Sequence, residues 1–172
     1  YVDNDLLADL SDRPVIKIMT ELNKKTHEYN GKVYSVSTGV GTYGLIYNKE
    51  IFEKAGIAAP PKTLSELKSV CETLKSKGIT PFMPQFKTDW ACGQFFQYGI
   101  APILNQNSGL IDDVLQGKAK LTDKKLLEVF NYIDVMNDNA GKAPFDYETF
   151  GNGLAEFAKG NAAMAIHGDW LI

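Results

Sequence analysis

Apolar residues recur along the chain with two different spacings, which predict a few short strands among many helices. A strand pattern covers residues 32–38, and a β-branched and aromatic run that favours extended chain covers residues 43–48. Two further short strands are predicted over residues 79–84 and 162–167. Few strands among many helices indicate an α/β domain with a small mixed sheet.

Helical spacing of apolar residues dominates the rest of the sequence. Helices are predicted over residues 5–10, 15–29, 64–77, 89–101, 110–116 and 145–159, with two more beginning near Lys49 and after Thr122. Thr63 followed by Glu66 has the spacing of a capping box, and Gly56 closes the helix that begins near Lys49. In the helix capped by Thr122, a stripe is predicted to be buried, namely Leu126, Val129, Phe130, Ile133 and Met136.

Three glycines around the junction of the strand patterns at 32–38 and 43–48 raise the possibility of a dinucleotide site. Gly39, Gly41 and Gly44 fit the spacing GxGxxG, which leaves an NAD(P)-dependent oxidoreductase as an alternative function. That motif holds a pyrophosphate at a helix N-terminus directly after the glycines. Here a strand pattern follows them and the helix begins only near Lys49, so the context disfavours this alternative.

Several short segments, taken together, have the pattern of one known family. They are GKVY at 31–34, YGLIYNK at 43–49, FEKAGI at 52–57, PKT at 61–63, FAKGNAAM at 157–164 and GDW at 168–170. The chain resembles the extracellular solute-binding proteins of ABC transporters, in the sugar-binding group that includes the maltose-binding proteins. The resemblance implies a periplasmic-binding-protein-like fold of type II, in which two α/β lobes flank a cleft and the chain crosses between them at the glycine-spaced turn.

The same resemblance implies a domain organisation and a function. Residues 1–42 would be the tail of the first lobe with a hinge strand, and residues 43–172 would be most of the second lobe, so we expect an interior fragment of a longer protein. The implied function is to bind a sugar or oligosaccharide outside the cytoplasm and deliver it to the membrane subunits of an ABC importer. No chemistry on the ligand and no cofactor are expected. A lipid anchor, as in a lipoprotein, would lie on the missing N-terminal part.

Two Asp–Trp pairs are the main candidates for a sugar site. Sugars are bound by aromatic rings that pack on the C–H face of a pyranose and by polar side chains that pair with its hydroxyl groups. Asp89–Trp90 and Asp169–Trp170 contain the only two tryptophans, and each pair follows a predicted strand. Loops after strands are where α/β folds place ligand contacts. We therefore predict both pairs as substrate-binding residues.

Thr42 and Tyr43, at the predicted crossover, complete the predicted site. The resemblance places Trp170 at the position of a ring-stacking tryptophan, whereas core packing is an equally good interpretation of Trp90 and Tyr43. Gly41 stands where the maltose-binding proteins carry a ligand-contacting carboxylate. This departure argues against a maltodextrin site copied residue for residue and leaves the identity of the sugar open.

Composition and charge narrow the partners. Of the 172 residues, 44% are hydrophobic and 23% are charged, as in globular proteins. The net charge is −3 and the basic residues are scattered, so no patch is available to neutralise a nucleic-acid backbone. The longest apolar run, near residues 100–104, falls far short of the roughly 20 residues that span a bilayer.

The cysteines and histidines offer weaker alternatives. Cys71 lies on an apolar helical face and is predicted to be a core residue. Cys92 could be the nucleophile of a cysteine hydrolase with His27 or His167 as base, although neither histidine lies in an orienting motif. His167 and Asp169 could share one side of a strand as metal ligands, but no third ligand has a recognisable spacing. We therefore predict no metal site.

Overall fold

The protein divides into two compact units. The computed structural model describes residues 1–37, 39, 41–83, 89–140 and 150–171 of the chain. The first unit is Tyr1–Thr42 and the second is Tyr43–Ile172.

The first unit contains a short helix and a hairpin. Two 3-10 turns, Val2–Asn4 and Pro14–Ile18, precede helix α1 (Glu21–His27) and the antiparallel strands β1 (Glu28–Tyr29) and β2 (Lys32–Val33). The buried side chains of this unit are Ile16, Met19 and Val33. The helix predicted over residues 15–29 is interrupted, because the Thr20 hydroxyl accepts a hydrogen bond from the Asn23 amide at 3.2 Å and caps α1.

Two predictions for the first unit are wrong. Residues 5–10 do not form a helix, because the Leu10 amide donates to the Val33 carbonyl at 2.7 Å and so ties this segment to the hairpin. The strand predicted over residues 32–38 is only two residues long, and residue 38 lies outside the described residues. Hydrogen bonding to the neighbouring segment has overridden the local helical preference.

The second unit is built around a pair of antiparallel strands. These are β3 (Tyr43–Tyr47) and β4 (Met164–Gly168), and the helices described around them are α2 (Lys49–Lys54), α3 (Leu64–Ser76), α4 (Asp89–Gln106), α5 (Leu110–Leu115), α6 (Lys124–Asp138) and α7 (Phe150–Ala158). Tyr43 lies opposite Gly168, and Tyr47 lies opposite Met164. Phe82 adds one parallel bridge to Met164, so the pairing is mixed. The strand predicted over residues 79–84 is reduced to this bridge within the described residues.

Strand β4 forms the centre of the core of the second unit, because all five of its residues are buried. The largest fully buried side chains include Phe52, Leu74, Phe82, Phe95, Met136 and Met164. Apart from Phe82, which lies between α3 and α4, they come from α2, α3, α4, α6 and β4, so these helices bury apolar faces against the strand pair. This burial is the main stabilising contribution, at about 25 cal/mol per Å² of apolar surface.

Helix α2 begins and ends where the sequence predicts. The Asn48 side chain caps the helix by accepting a hydrogen bond from the Ile51 amide at 3.1 Å. Gly56 follows the last turn with φ of 72°, a left-handed conformation that favours glycine at a helix end. The short connection fixes how α2 leaves β3 and packs Phe52 into the core.

Helix α6 corrects two predictions. Its N-cap residue is Asp123 and not Thr122, and the Asp123 carboxylate accepts a hydrogen bond from the Lys120 amide at 3.0 Å. Phe130 is 50% exposed instead of buried, because it lies at the edge of the apolar stripe and its ring contacts Phe96. The buried members of the stripe are Leu126, Val129 and Met136, with Ile133 half-buried.

The remaining helices agree with the sequence patterns. Those predicted over residues 64–77 and 110–116 are confirmed to within one residue, and α4 continues to Gln106, five residues past its predicted end at residue 101. The helix predicted from residue 145 is described from Phe150, since residues 141–149 lie outside the described part. None of the helices in the described part of the chain is both long and apolar enough to span a bilayer.

We expect Thr63→Ala to lower the free energy of unfolding by about 1 kcal/mol, because the Thr63 hydroxyl accepts a hydrogen bond from the Glu66 amide at 3.1 Å at the start of α3. Thr122→Ala is the matched control, since Thr122 is exposed and is not the N-cap residue of α6. Urea unfolding of both variants tests this assignment. Equal losses of stability would contradict it.

Candidate functional site

The register of the two central strands brings together residues that are far apart in the sequence. Tyr43, the first residue of β3, lies opposite Gly168, the last residue of β4. Asp169 and Trp170 follow Gly168 directly in a 3-10 turn. We call Tyr43, Gly168, Asp169 and Trp170 the strand-end surface. It combines two of the three regions that the sequence predicts as substrate-binding.

Trp170 presents a large apolar ring to solvent. Its side chain is 62% exposed, although an indole is more often largely buried. The indole contacts the ring of His167, a buried residue of β4. The two ring centroids are 5.5 Å apart, and the interplanar angle is 72°. The indole is therefore supported by the strand on one side and accessible on another.

Tyr43 is the second exposed ring of this surface. It is 47% exposed, and its ring stacks on Tyr98 of α4 with a centroid distance of 4.2 Å. Burial, and to a lesser extent the neighbouring Tyr43, raises the pKa of the Tyr98 hydroxyl, so Tyr98 stays neutral and available for hydrogen bonding at physiological pH. The stacking holds Tyr43 in one orientation, which a ligand platform requires.

The other four predicted site residues lie at the start of α4, directly before Trp170 and at the end of the first unit. Trp90 is 53% exposed in the first turn of α4, roughly 12 Å along the helix axis from Tyr98, given 1.5 Å per residue. Asp89 is the first residue of α4, and its side chain lies outside what the structure describes. The Asp169 side chain is exposed, and Thr42 is an exposed residue of the first unit. Contact with a ligand stays a prediction for all six residues.

A groove of about 710 Å³ lies beside the strand-end surface within the second unit. It is lined by residues of β3, of the start of α3 and of α4 and α6, including Tyr43, Leu64, Tyr98, Ile103, Glu128 and Tyr132. The Tyr98 hydroxyl is buried and has no hydrogen-bond partner among the described residues. Burial also raises the pKa of Tyr132, because an apolar environment disfavours the phenolate. The groove is thus a concavity whose lining combines aromatic and apolar side chains with polar ones such as Lys62 and Glu128.

The sequence pattern misses Tyr98 and Tyr132 as residues near the site. Both lie in aromatic or apolar clusters that are typical of a core, and only the packing of α4 against α6 and β3 shows that they line a concavity. Each helix contains a single tyrosine, so the sequence carries no signal that sets these residues apart from the core. Among the described residues, no group of three or more potential ligands is close enough to hold a metal ion.

Comparison with known proteins identifies the family. The sequence profile of bacterial extracellular solute-binding proteins matches residues 1–172. The chain belongs to this family. An uncharacterised ABC transporter extracellular-binding protein of Pyrococcus horikoshii is 32% identical over 172 aligned residues, which cover 91% of this solute-binding chain and 37% of that protein. The resemblance that the sequence motifs suggest is confirmed.

Two further relatives of this solute-binding chain carry the names of sugar ligands. The multiple sugar-binding protein of Streptococcus mutans is 26% identical over 156 residues, which cover 87% of this chain and 37% of that protein. A solved structure of a chitin oligosaccharide binding protein is 25% identical with a TM-score of 0.78, covering 99% of this chain and 43% of that one. The predicted α/β periplasmic-binding-protein-like lobe is confirmed. The chain spans less than half the length of each relative.

The family is a class of solute-binding transport proteins, and the enzymatic alternatives gain no support. Gly41 is followed within one residue by β3 and not by a helix, so the glycines of this solute-binding chain lack the helix N-terminus that a dinucleotide site needs. The side chain of Cys92 lies outside what the structure describes. Burial raises the pKa of the Cys71 thiol to about 11, which makes Cys71 an unreactive core residue, as predicted.

Proposed function

We propose that this chain is part of an extracytoplasmic binding protein that captures a sugar or oligosaccharide and delivers it to the membrane subunits of an ABC importer, without chemistry on the ligand. The observation that carries the proposal is the pair of exposed rings, Tyr43 and Trp170, at the same end of the β3–β4 pair. Membership of the solute-binding family supports the transport role.

Exposed rings of this kind suit a carbohydrate. A pyranose has one face of C–H groups, which packs on a flat aromatic ring, and a rim of hydroxyl groups, which need hydrogen-bond partners. Asp169 directly precedes Trp170 in the chain and is exposed, so we propose that its carboxylate pairs with hydroxyl groups of the sugar. A hydroxyl group left without a partner on binding would cost on the order of 1–3 kcal/mol, so such polar side chains would determine which sugar is accepted.

The names of the relatives point to the same ligand class. The Streptococcus mutans protein is named for multiple sugars and the solved relative for chitin oligosaccharides. Both are about one quarter identical to this chain, so the particular sugar does not carry over with the ligand class. We propose an oligosaccharide because the groove of about 710 Å³ continues from Tyr43 and offers room beyond a single stacked ring.

We further propose that residues 1–42 belong to a first lobe with the hinge strand and that residues 43–172 form most of a second lobe. The division of the chain into compact units after Thr42 supports this assignment. In a two-lobed protein the ligand contacts both lobes and shifts the population towards the closed form by its differential affinity for that form. A chain that carries mainly one lobe would make only part of these contacts. We expect the 172-residue chain to bind sugars much more weakly than the full-length protein.

A ligand screen on the full-length protein tests the proposed function. We expect at least one oligosaccharide to raise the unfolding temperature, because a ligand present at 100 times its Kd stabilises the folded state by about 2.7 kcal/mol. NAD⁺ and NADP⁺ are screened beside the sugars. Stabilisation by a dinucleotide and by no saccharide would contradict the proposal and favour the oxidoreductase alternative.

A further inference from the structure

Gly168 and Trp170 are packed so closely that residue 168 has no room for a side chain. A Cβ atom built on Gly168 would meet the Cε3, Cζ3 and Cη2 atoms of the Trp170 indole closer than real Cβ atoms approach other groups. These are atoms of a rigid ring and not the tip of a flexible side chain. The benzene ring of the indole therefore lies directly against the backbone of the last residue of β4.

Steric contact, and not backbone conformation, explains the need for glycine here. Gly168 has no positive φ, so an alanine would fit the backbone of the strand. Its position in the register, opposite Tyr43, is an ordinary antiparallel pair. Gly44, one residue further along β3 and opposite His167, provides a direct comparison, because a Cβ atom there would meet nothing within 4 Å.

We propose that Gly168 is a positioning residue for the sugar site: its missing side chain lets the Trp170 indole lie on the end of β4. The ring then lies against the Gly168 backbone and contacts the His167 ring, in an orientation that leaves the residue mostly exposed. A methyl group at residue 168 would displace the indole from this position. The effect of Gly168 on sugar affinity rests on the proposed function, whereas its effect on the indole does not.

A positioned ring matters because stacking is sensitive to geometry. Packing of a pyranose on an aromatic ring requires the two planes to be nearly parallel, and a binding group that is already held in place loses less conformational entropy when the ligand binds. A displaced indole would offer similar apolar area in the wrong orientation. Gly168 would thus set the affinity without touching the ligand.

The test uses four variants of the full-length protein: Gly168→Ala, Trp170→Ala, the double variant Gly168→Ala/Trp170→Ala, and Gly44→Ala as the matched control for ring position and stability. The position of the indole is followed without ligand through the N–H resonance of Trp170 in ¹H–¹⁵N NMR spectra, identified by its loss in Trp170→Ala. Sugar affinity is measured by calorimetry with the oligosaccharide found in the screen. Thermal unfolding of each variant reports its stability.

We expect Gly168→Ala to move the Trp170 resonance and to weaken sugar binding about 5- to 10-fold, while Gly44→Ala leaves the Trp170 resonance in place. Gly44 lines the groove, so its variant is compared for ring position and stability and not for sugar affinity. In the Trp170→Ala background, Gly168→Ala should no longer affect affinity or stability, because the ring that it displaces is absent. If Gly168→Ala alone fails to fold, recovery of folding in the double variant supports the same contact.

Two results would overturn the proposal. One is a Trp170 resonance that does not move in Gly168→Ala. The other is an equal loss of stability with and without Trp170, which would assign Gly168 to strand packing alone. The Trp170 resonance without ligand and the stabilities of the single and double variants test the position of the ring even if no sugar binds to the wild-type protein. Absence of sugar binding would count against the proposed function only.

Discussion

Replacement of Phe52 by alanine is expected to lower the free energy of unfolding by about 3–5 kcal/mol. Phe52 is 1% exposed and belongs to the main buried cluster of the second unit. Its ring also packs on Tyr47 at the end of β3, with a centroid distance of 4.7 Å. Truncation removes the apolar contacts and leaves a cavity between α2 and the strand pair. Urea unfolding monitored by circular dichroism measures the loss.

Phe130→Ala is the matched control for Phe52→Ala, since it removes the same side chain from a half-exposed position on α6. We expect it to cost less than about 1.5 kcal/mol, because much of the ring is already in water and its main aromatic contact is with Phe96. Similar losses for the two variants would mean that the core of the second unit does not lie where the structure has it.

Replacement of Trp170 by alanine is expected to weaken oligosaccharide binding by roughly 10- to 100-fold, the range of a dominant aromatic contact in a binding site. The indole is the most exposed of the three aromatic rings proposed for the site, and its truncation removes the apolar face on which a pyranose would stack. Stability should change little, because most of the side chain is in water. Titration calorimetry of the full-length protein measures the effect.

Phe130→Ala also serves as the binding control, because it removes an exposed aromatic ring from a helix that carries no predicted site residue. We expect its affinity to equal that of the wild-type protein within about twofold, while Trp170→Phe retains part of the stacking and falls between wild type and Trp170→Ala. An unchanged affinity in Trp170→Ala would remove the main physical support for the sugar site.

Much of the second unit could be predicted from the sequence because its signals are local. Thr63 caps α3 as its spacing from Glu66 indicates, α2 begins at Lys49 as predicted, and β3 is confirmed to within one residue. Predictions failed where a partner distant in the sequence decides the outcome. Leu10 is hydrogen-bonded to Val33 of the β1–β2 hairpin, and residues 5–10 do not form a helix. Phe130 lies at the edge of the apolar stripe of α6, and how much of that stripe is buried depends on the packing of α6 against α4.

The candidate site was predictable in residue type but not in geometry. The motif around Trp170 and the start of a strand at Tyr43 could be found in the sequence, and the indoles of Trp90 and Trp170 are exposed as a ligand platform requires. Only the strand register shows that Tyr43 and Trp170 share one end of the sheet. Tyr98 contacts Tyr43 from a different element, and Gly168 contacts Trp170 because of how the indole is placed. A spacing pattern in the sequence encodes neither contact.

The most direct test of the sugar site is an NMR titration of the Trp170 indole N–H resonance with the oligosaccharide that stabilises the full-length protein. The resonance is identified by its loss in Trp170→Phe, and saturation transfer from the indole to the C–H protons of the sugar is recorded in the same samples. We predict a saturable shift of the Trp170 resonance, with saturation transfer to one face of a pyranose ring. Tight binding of the sugar with an unmoved Trp170 resonance and no transfer from this indole would contradict the proposed site.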